Sequence, residues 1–210
     1  MNEDTPASIE DVLRARVKTE LRKRMRGLRK STPASVIAAK SELIVNLLTE
    51  IKAVDLARGV ALFWPIAERH EIDLRALDAW LRAKGKQLAY PSINPETRNM
   101  VFRWVSNVAE LEERGLGFFE PPCSAPLAKE GLDAIVVPSL AIDPSGARLG
   151  YGAGFYDRAL RALRDHEGWS AVVTIGVAFD FQYVSELPVL PHDERVQLIV
   201  TESRCDNSVS

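Results

Sequence analysis

The stretch that most limits what this chain can become lies between Asp133 and Leu163. The run Val136-Val137-Pro138-Ser139-Leu140-Ala141-Ile142, bounded by Asp133, reads as a buried strand. It stops at Asp143-Pro144-Ser145-Gly146, whose proline at the second position and glycine at the fourth predict a type I turn. After Arg148 come Gly150, Gly152 and Gly154, and then Tyr156-Asp157-Arg158-Ala159-Leu160-Arg161-Ala162-Leu163, with apolar residues at helical spacing. Glycine tolerates the positive φ that lets successive N–H groups converge, and a helix N-terminus adds unpaired donors and the positive end of its dipole. Such a loop suits a phosphate, although short glycine runs also serve simply to relieve crowding at turns. Arg148 strengthens the phosphate reading with its planar fork of donors. Asp157 can hold a cation beside the phosphates, or serve only as a first-turn acid favoured by the helix dipole.

The other apolar runs set the fold class. Val60-Ala61-Leu62-Phe63-Trp64, Gln87-Leu88-Ala89-Tyr90-Pro91, Met100-Val101-Phe102-Arg103-Trp104, Ala171 through Phe179 and Val196 through Glu202 all read as strands. The fourth is apolar throughout, as expected of a strand covered on both faces. Helices are predicted between strands. One runs from Thr32-Pro33 to about Ile51, and another passes through Leu74, Leu77, Trp80 and Leu81. The alternation predicts an α/β fold. Residues 1–8 are expected to be disordered, 9–202 to form one domain, and 203–210 to fray.

The first helix, from Ile9, carries Leu13, Val17, Leu21 and Leu28 as its apolar stripe and Lys18, Arg22, Arg26 and Lys30 on another face. Residues 14–30 hold nine Lys and Arg against Glu20 alone. Removing them from the chain's 27 basic and 29 acidic residues leaves 18 against 28. A basic helix on an acidic body argues against general nucleic-acid binding and for a small anion. Cys123 and Cys205 are too few for a disulfide framework or a zinc site, and no apolar run approaches the ~20 residues of a membrane span. The acidic start lacks the features of a signal peptide, so the chain is expected in the cytoplasm, with no membrane partner.

Arg148-Leu149-Gly150-Tyr151-Gly152-Ala153-Gly154-Phe155-Tyr156-Asp157-Arg158 closely resembles the signature of the 5-formyltetrahydrofolate cyclo-ligase family. The resemblance extends from about Lys18 to Glu202. It implies a three-layer α/β/α sandwich with a central, mostly parallel sheet, similar to sugar-phosphate isomerase and coenzyme A transferase folds. It implies conversion of 5-formyltetrahydrofolate and MgATP to 5,10-methenyltetrahydrofolate, ADP and phosphate, by a monomer. By the same resemblance, Lys18, Arg22 and the stretch from Arg148 through Leu149, Gly150, Tyr151, Gly152, Ala153, Gly154 and Phe155 to Tyr156 bind ATP. Ile66, Glu71, Tyr151, Gly152, Ala153, Gly154 and Phe155 bind the folate, and Arg148 and Tyr156 are catalytic. Asp157 and Asp193 hold Mg²⁺.

Taken as residues alone, several of these keep another reading. The basic run on the first helix can be a solvated face, Glu71 can be a helix cap, and Pro191-His192-Asp193 can be a turn. Phe118 and Phe119 can stack on a planar ring or pack in a core, and a role for His70 stays open. Leu74, Ser92 and Phe155 depart from the family, which more often has Thr, a basic residue and Tyr there. A non-catalytic folate or nucleotide binder, and an ATP-dependent ligase or kinase for another small amide, remain as alternatives.

Overall fold

The computed structural model describes residues 8–94, 96–113, 117–164 and 171–209. Residues 1–7, where disorder is expected, and Pro95, Gly115 and Leu116 lie outside them. Ser8 caps α1 (Ile9–Ser31) by accepting the Asp11 N–H at 3.1 Å. Then follow α2 (Ala34–Glu50), α3 (Lys52–Asp55) and β1 (Gly59–Ala61). The Thr32 hydroxyl does not cap α2; it donates to Leu28 O at the end of α1. Next come α4 (Arg75–Ala83), β2 (Gln87–Ile93) and β3 (Met100–Trp104). A short antiparallel pair follows, β4 (Glu112–Glu113) with β5 (Phe119–Glu120). Beyond it lie β6 (Ala134–Pro138), β7 (Ala141–Ile142), β8 (Arg148–Leu149), α5 (Phe155–Arg164), β9 (Val173–Val177) and β10 (Leu198–Val200). Where a frayed end is expected, β11 (Cys205–Asn207) pairs antiparallel with β10.

Seven strands form one sheet in the order β11-β10-β9-β6-β1-β2-β3, parallel from β10 to β2, with an antiparallel strand at each edge. Helices cover both faces. Ala134 and Val136 of β6 pack with Ile44 and Leu48 of α2 and Leu77 and Leu81 of α4. Ile135 and Val137 point the other way, into the cluster that holds Ala159 and Leu160 of α5. Side chains alternate between faces along a strand, and a strand buried on both sides must be apolar throughout. The apolar runs read from the sequence are therefore the parallel strands, with Met100–Trp104 the antiparallel edge strand β3, and the fold is the expected three-layer α/β. The chain runs from β1 outward to β2 on one side and from β6 outward to β9 on the other. β1 and β6 are thus the topological switch point, where open α/β sheets collect ligands beyond the strand ends.

The packed face of α1 is not the one its apolar stripe predicts. Its buried residues are Lys18, Met25 and Arg29, whereas Leu13 and Val17 are about half exposed. Met25, with Leu21 beside it, packs on Leu140, Ala141, Ala147, Leu149 and Leu187, a third cluster around the β7–β8 hairpin. The rest of the inward face is cationic because it meets polar groups rather than core. Accordingly Met25→Ala should cost about 2–5 kcal/mol in urea unfolding, while Leu13→Ser should stay within about 0.5 kcal/mol. Equal losses would mean that the apolar stripe is the packed face.

Candidate active site

A cavity of about 520 Å³ opens at the switch point, within the size range of small-molecule sites. Phe63 and Trp64 after β1, Pro91 and Ile93 of β2 and Pro138 of β6 form its floor. Its rim comes from α1, the glycine loop and the segment around Asp193. The sheet thus supplies an apolar base, and three separate segments bring the charge.

One end gathers cationic side chains around the glycine loop. Gly146 closes the turn after β7 with φ +75° and donates to Asp143 O, so that β8 runs back toward the sheet and buries Arg148 to 6% exposure. Arg148 Nη2 lies 2.9 Å from Asp157 Oδ1, and the guanidinium stands over the Tyr156 ring at 5.6 Å. Gly152 and Gly154 have φ of +105° and +67°, the left-handed region that glycine permits. The loop then enters α5 at Phe155. Arg22 reaches in from α1, with Nε 2.9 Å from Gly150 O. Burial pushes the Arg22 guanidinium below its ordinary value, yet arginine stays charged. Lys18, buried, pairs with Asp193 Oδ2, which also accepts the Leu190 N–H at 2.6 Å.

Two buried donors at this end have no partner among the described residues, Arg148 Nε and the Tyr156 hydroxyl. Burial raises the Tyr156 phenol well above its ordinary value, so it keeps its proton. An unsatisfied buried donor costs about 1–3 kcal/mol, a cost that an anionic oxygen placed beside the glycine loop would offset. Asp157 is more than a first-turn acid, because its Oδ1 accepts from both Arg148 and the Glu194 N–H. Asp157 Oδ2 and Asp193 Oδ1 accept no hydrogen bond among the described residues. No group of three or more His, Cys, Asp or Glu among those residues could hold a metal. Two carboxylates with a free oxygen each do fit Mg²⁺, which takes one or two carboxylates and completes its shell with substrate phosphates.

The other end holds Glu71, 7% exposed. It does not cap a helix. Glu71 Oε2 accepts the Ile66 N–H at 3.0 Å and Oε1 the Tyr151 hydroxyl at 2.6 Å, while it is Asp73 that accepts the Arg75 N–H at the start of α4. Ile66, Met100, Phe118 and Phe119 line the walls nearby, so the aromatic pair faces the cavity.

The cavity therefore gathers Lys18, Arg22, Ile66, Glu71, Arg148, Gly150 through Asp157 and Asp193. Leu149 is the exception: its side chain is buried in the cluster around the β7–β8 hairpin and its carbonyl accepts from Leu140 N–H. Leu74 is a core residue, and Ser92, buried, donates to Pro121 O. His70 lies outside the lining and bonds Arg29, with Nδ1 2.9 Å from Arg29 O. Residues the sequence reading passed over are Trp64, Arg69 and Pro138, which line the cavity, and Arg29 behind it. Arg29 was findable: it stands seven residues after Arg22 and eleven after Lys18, hence on the same helix face.

The model described as the 5-formyltetrahydrofolate cyclo-ligase family matches residues 14–202. A protein of Mycolicibacterium smegmatis named 5-formyltetrahydrofolate cyclo-ligase is 31% identical over 198 residues, covering 90% of this chain and 95% of that protein. Its namesake in Escherichia coli K12 is 33% identical over 156 residues, 71% of this chain and 80% of that one. The NMR structure of Aquifex aeolicus 5,10-methenyltetrahydrofolate synthetase superposes with a TM-score of 0.76 at 30% identity, covering 92% of this chain and 94% of that one.

An anion that fills the glycine loop should stabilise the protein. Tripolyphosphate at about a hundred times its Kd should raise the Tm by roughly 5–10 °C. The increment should shrink sharply in Arg148→Gln, measured from that variant's own baseline. An equal increment in both proteins would place the anion elsewhere.

Proposed function

We infer the function of this chain from the 5-formyltetrahydrofolate cyclo-ligase family, to which it belongs. The chain is a cyclo-ligase that closes 5-formyltetrahydrofolate to 5,10-methenyltetrahydrofolate. The observation that carries the assignment of its site is that one cavity joins an anion-binding loop to a buried carboxylate. Nothing favours a non-catalytic binder or a ligase for a different amide.

The chemistry explains why both ends are needed. A formamide oxygen is a poor leaving group; it becomes a good one by accepting the γ-phosphoryl group of ATP, after which N10 attacks the formyl carbon and phosphate departs. Phosphoryl transfer asks a protein mainly for positioning and charge neutralisation. In this reading Lys18, Arg22, Arg148 and the N–H groups of the loop and α5 take the phosphates. The unpartnered Arg148 Nε and Tyr156 hydroxyl donate to the oxygens on which charge develops. Glu71 accepts paired N–H groups of the pterin, and Phe118 and Phe119 supply a flat apolar wall for the rest of the folate. The free oxygens of Asp157 and Asp193 would hold Mg²⁺, which when bound offsets phosphate charge. No helix among the described residues is long and apolar enough to cross a membrane.

The formyl oxygen is the acceptor, so ADP release should depend on folate. Rapid release from ATP alone would favour a general ATPase. Lys18→Ala should lower kcat by about 10²–10³ and leave folate binding measured without ATP nearly unmoved. A large loss of folate affinity would put Lys18 at the pterin end. Asp157→Asn and Asp193→Asn should each raise the Mg²⁺ concentration needed for half-maximal rate, and should also lose stability, since each leaves a buried cation without its counter-charge. Lost stability with an unchanged Mg²⁺ requirement would confine the two carboxylates to orienting Lys18 and Arg148.

A further inference from the structure

We propose that Arg29 is a positioning residue for folate recognition, acting through the Tyr151 hydroxyl to hold the Glu71 carboxylate in its binding geometry. The inference rests on the assignment of the Glu71 end to the folate.

The donor inventory sets the direction of the chain of hydrogen bonds. Arg29 Nη1 lies 2.9 Å from the Tyr151 hydroxyl, and that hydroxyl lies 2.6 Å from Glu71 Oε1. A guanidinium can only donate, so the phenol oxygen accepts from Arg29 and its single proton goes to Glu71. The phenol keeps that proton, because burial first and the neighbouring Glu71 next push it well above its ordinary value. Glu71 is thus held from both sides, by Tyr151 on Oε1 and by the Ile66 N–H on Oε2. A carboxylate held through both oxygens cannot rotate, and of its roughly four acceptor positions two remain for a ligand. A rigid acceptor pair of this kind suits the paired N–H groups of a pterin.

Arg29 is itself fixed. It is 4% exposed, its Nε donates to His70 O at 3.1 Å, and its carbonyl is 2.9 Å from His70 Nδ1. Among the described residues no carboxylate lies within ion-pairing distance of Arg29. Its charge is answered across the Tyr151 hydroxyl by Glu71, an arrangement that stiffens the relay because breaking either bond strands a buried charge. Arg29 does not line the cavity, so it acts on the folate only through its neighbours.

The test is a cycle of wild type, Tyr151→Phe, Arg29→Gln and the double variant. Equilibrium affinity for 5-formyltetrahydrofolate is measured without nucleotide, and KM for ATP and thermal melts are measured alongside. Each single change should weaken folate binding about tenfold or more, the size expected for a lost bond to a charged group. KM for ATP in Arg29→Gln should move by less than about threefold, and the double variant should bind folate no more than about twofold worse than the weaker single, because both act on one carboxylate. Arg29→Lys, which keeps a cation, should recover part of the affinity. Tyr151→Phe removes a single oxygen and decides the matter if Arg29→Gln does not fold. Unchanged folate affinity in Tyr151→Phe, or losses that multiply in the double variant, would overturn the relay. A wild type that binds no folate would overturn the assigned function and the relay with it.

Discussion

Buried positive charge needs an answering group, and the site of this protein is arranged by that need. Lys18 is paired with Asp193, Arg148 with Asp157, and Arg22 with the carbonyl of Gly150. An unanswered buried cation would cost several kcal/mol, so each partner sets where its cation can stand. The consequence is a set of donors already converging on the glycine loop before any phosphate arrives. Binding then exchanges acceptors instead of ordering side chains, which is how preorganised sites save rate and affinity.

The fold delivers these groups from distant parts of the chain. The switch point between β1 and β6 leaves a crevice beyond the strand ends, and the segments that leave those strands fall on opposite sides of it. After β1 comes the loop that carries Ile66 and Glu71; after β6 comes the hairpin that buries Arg148 and leads to Tyr156. Helix α1 spans both sides, with Lys18 and Arg22 toward the loop and Arg29 toward Glu71. Tyr151 belongs to the glycine loop yet bonds Glu71, so the two ends of the cavity are joined by a side chain as well as by the sheet.

What could be read from the chain beforehand divides along a physical line. The central strands were legible because burial on both faces forces uninterrupted apolar runs, as in Ala134 through Val137. The glycine loop was legible because positive φ at Gly152 and Gly154 restricts the residue type. The orientation of α1 was not. Apolar periodicity locates a packed face only when the partner is a core, and this helix turns Lys18 and Arg29 inward toward polar groups. The edge strand β11 was missed because Cys205-Asp206-Asn207 is exposed and carries no apolar signal. Leu149, expected among the nucleotide-binding residues by its place in the motif, turns its side chain into the core because β8 pairs with β7. Helix spacing places Arg29 on the face of Lys18 and Arg22, but its bond to Tyr151 needed coordinates, since that contact spans more than a hundred residues of sequence.

The most direct measurement is the ratio of products. Protein, MgATP and limiting 5-formyltetrahydrofolate are mixed, and the near-UV absorbance of the methenyl product is followed together with ADP. A shared cavity in which the formyl oxygen takes the γ-phosphoryl group predicts one ADP for each methenyl product, with neither formed when the other substrate is omitted. Folate-independent ADP, or folded protein that binds both ligands and forms no methenyl product, would contradict it.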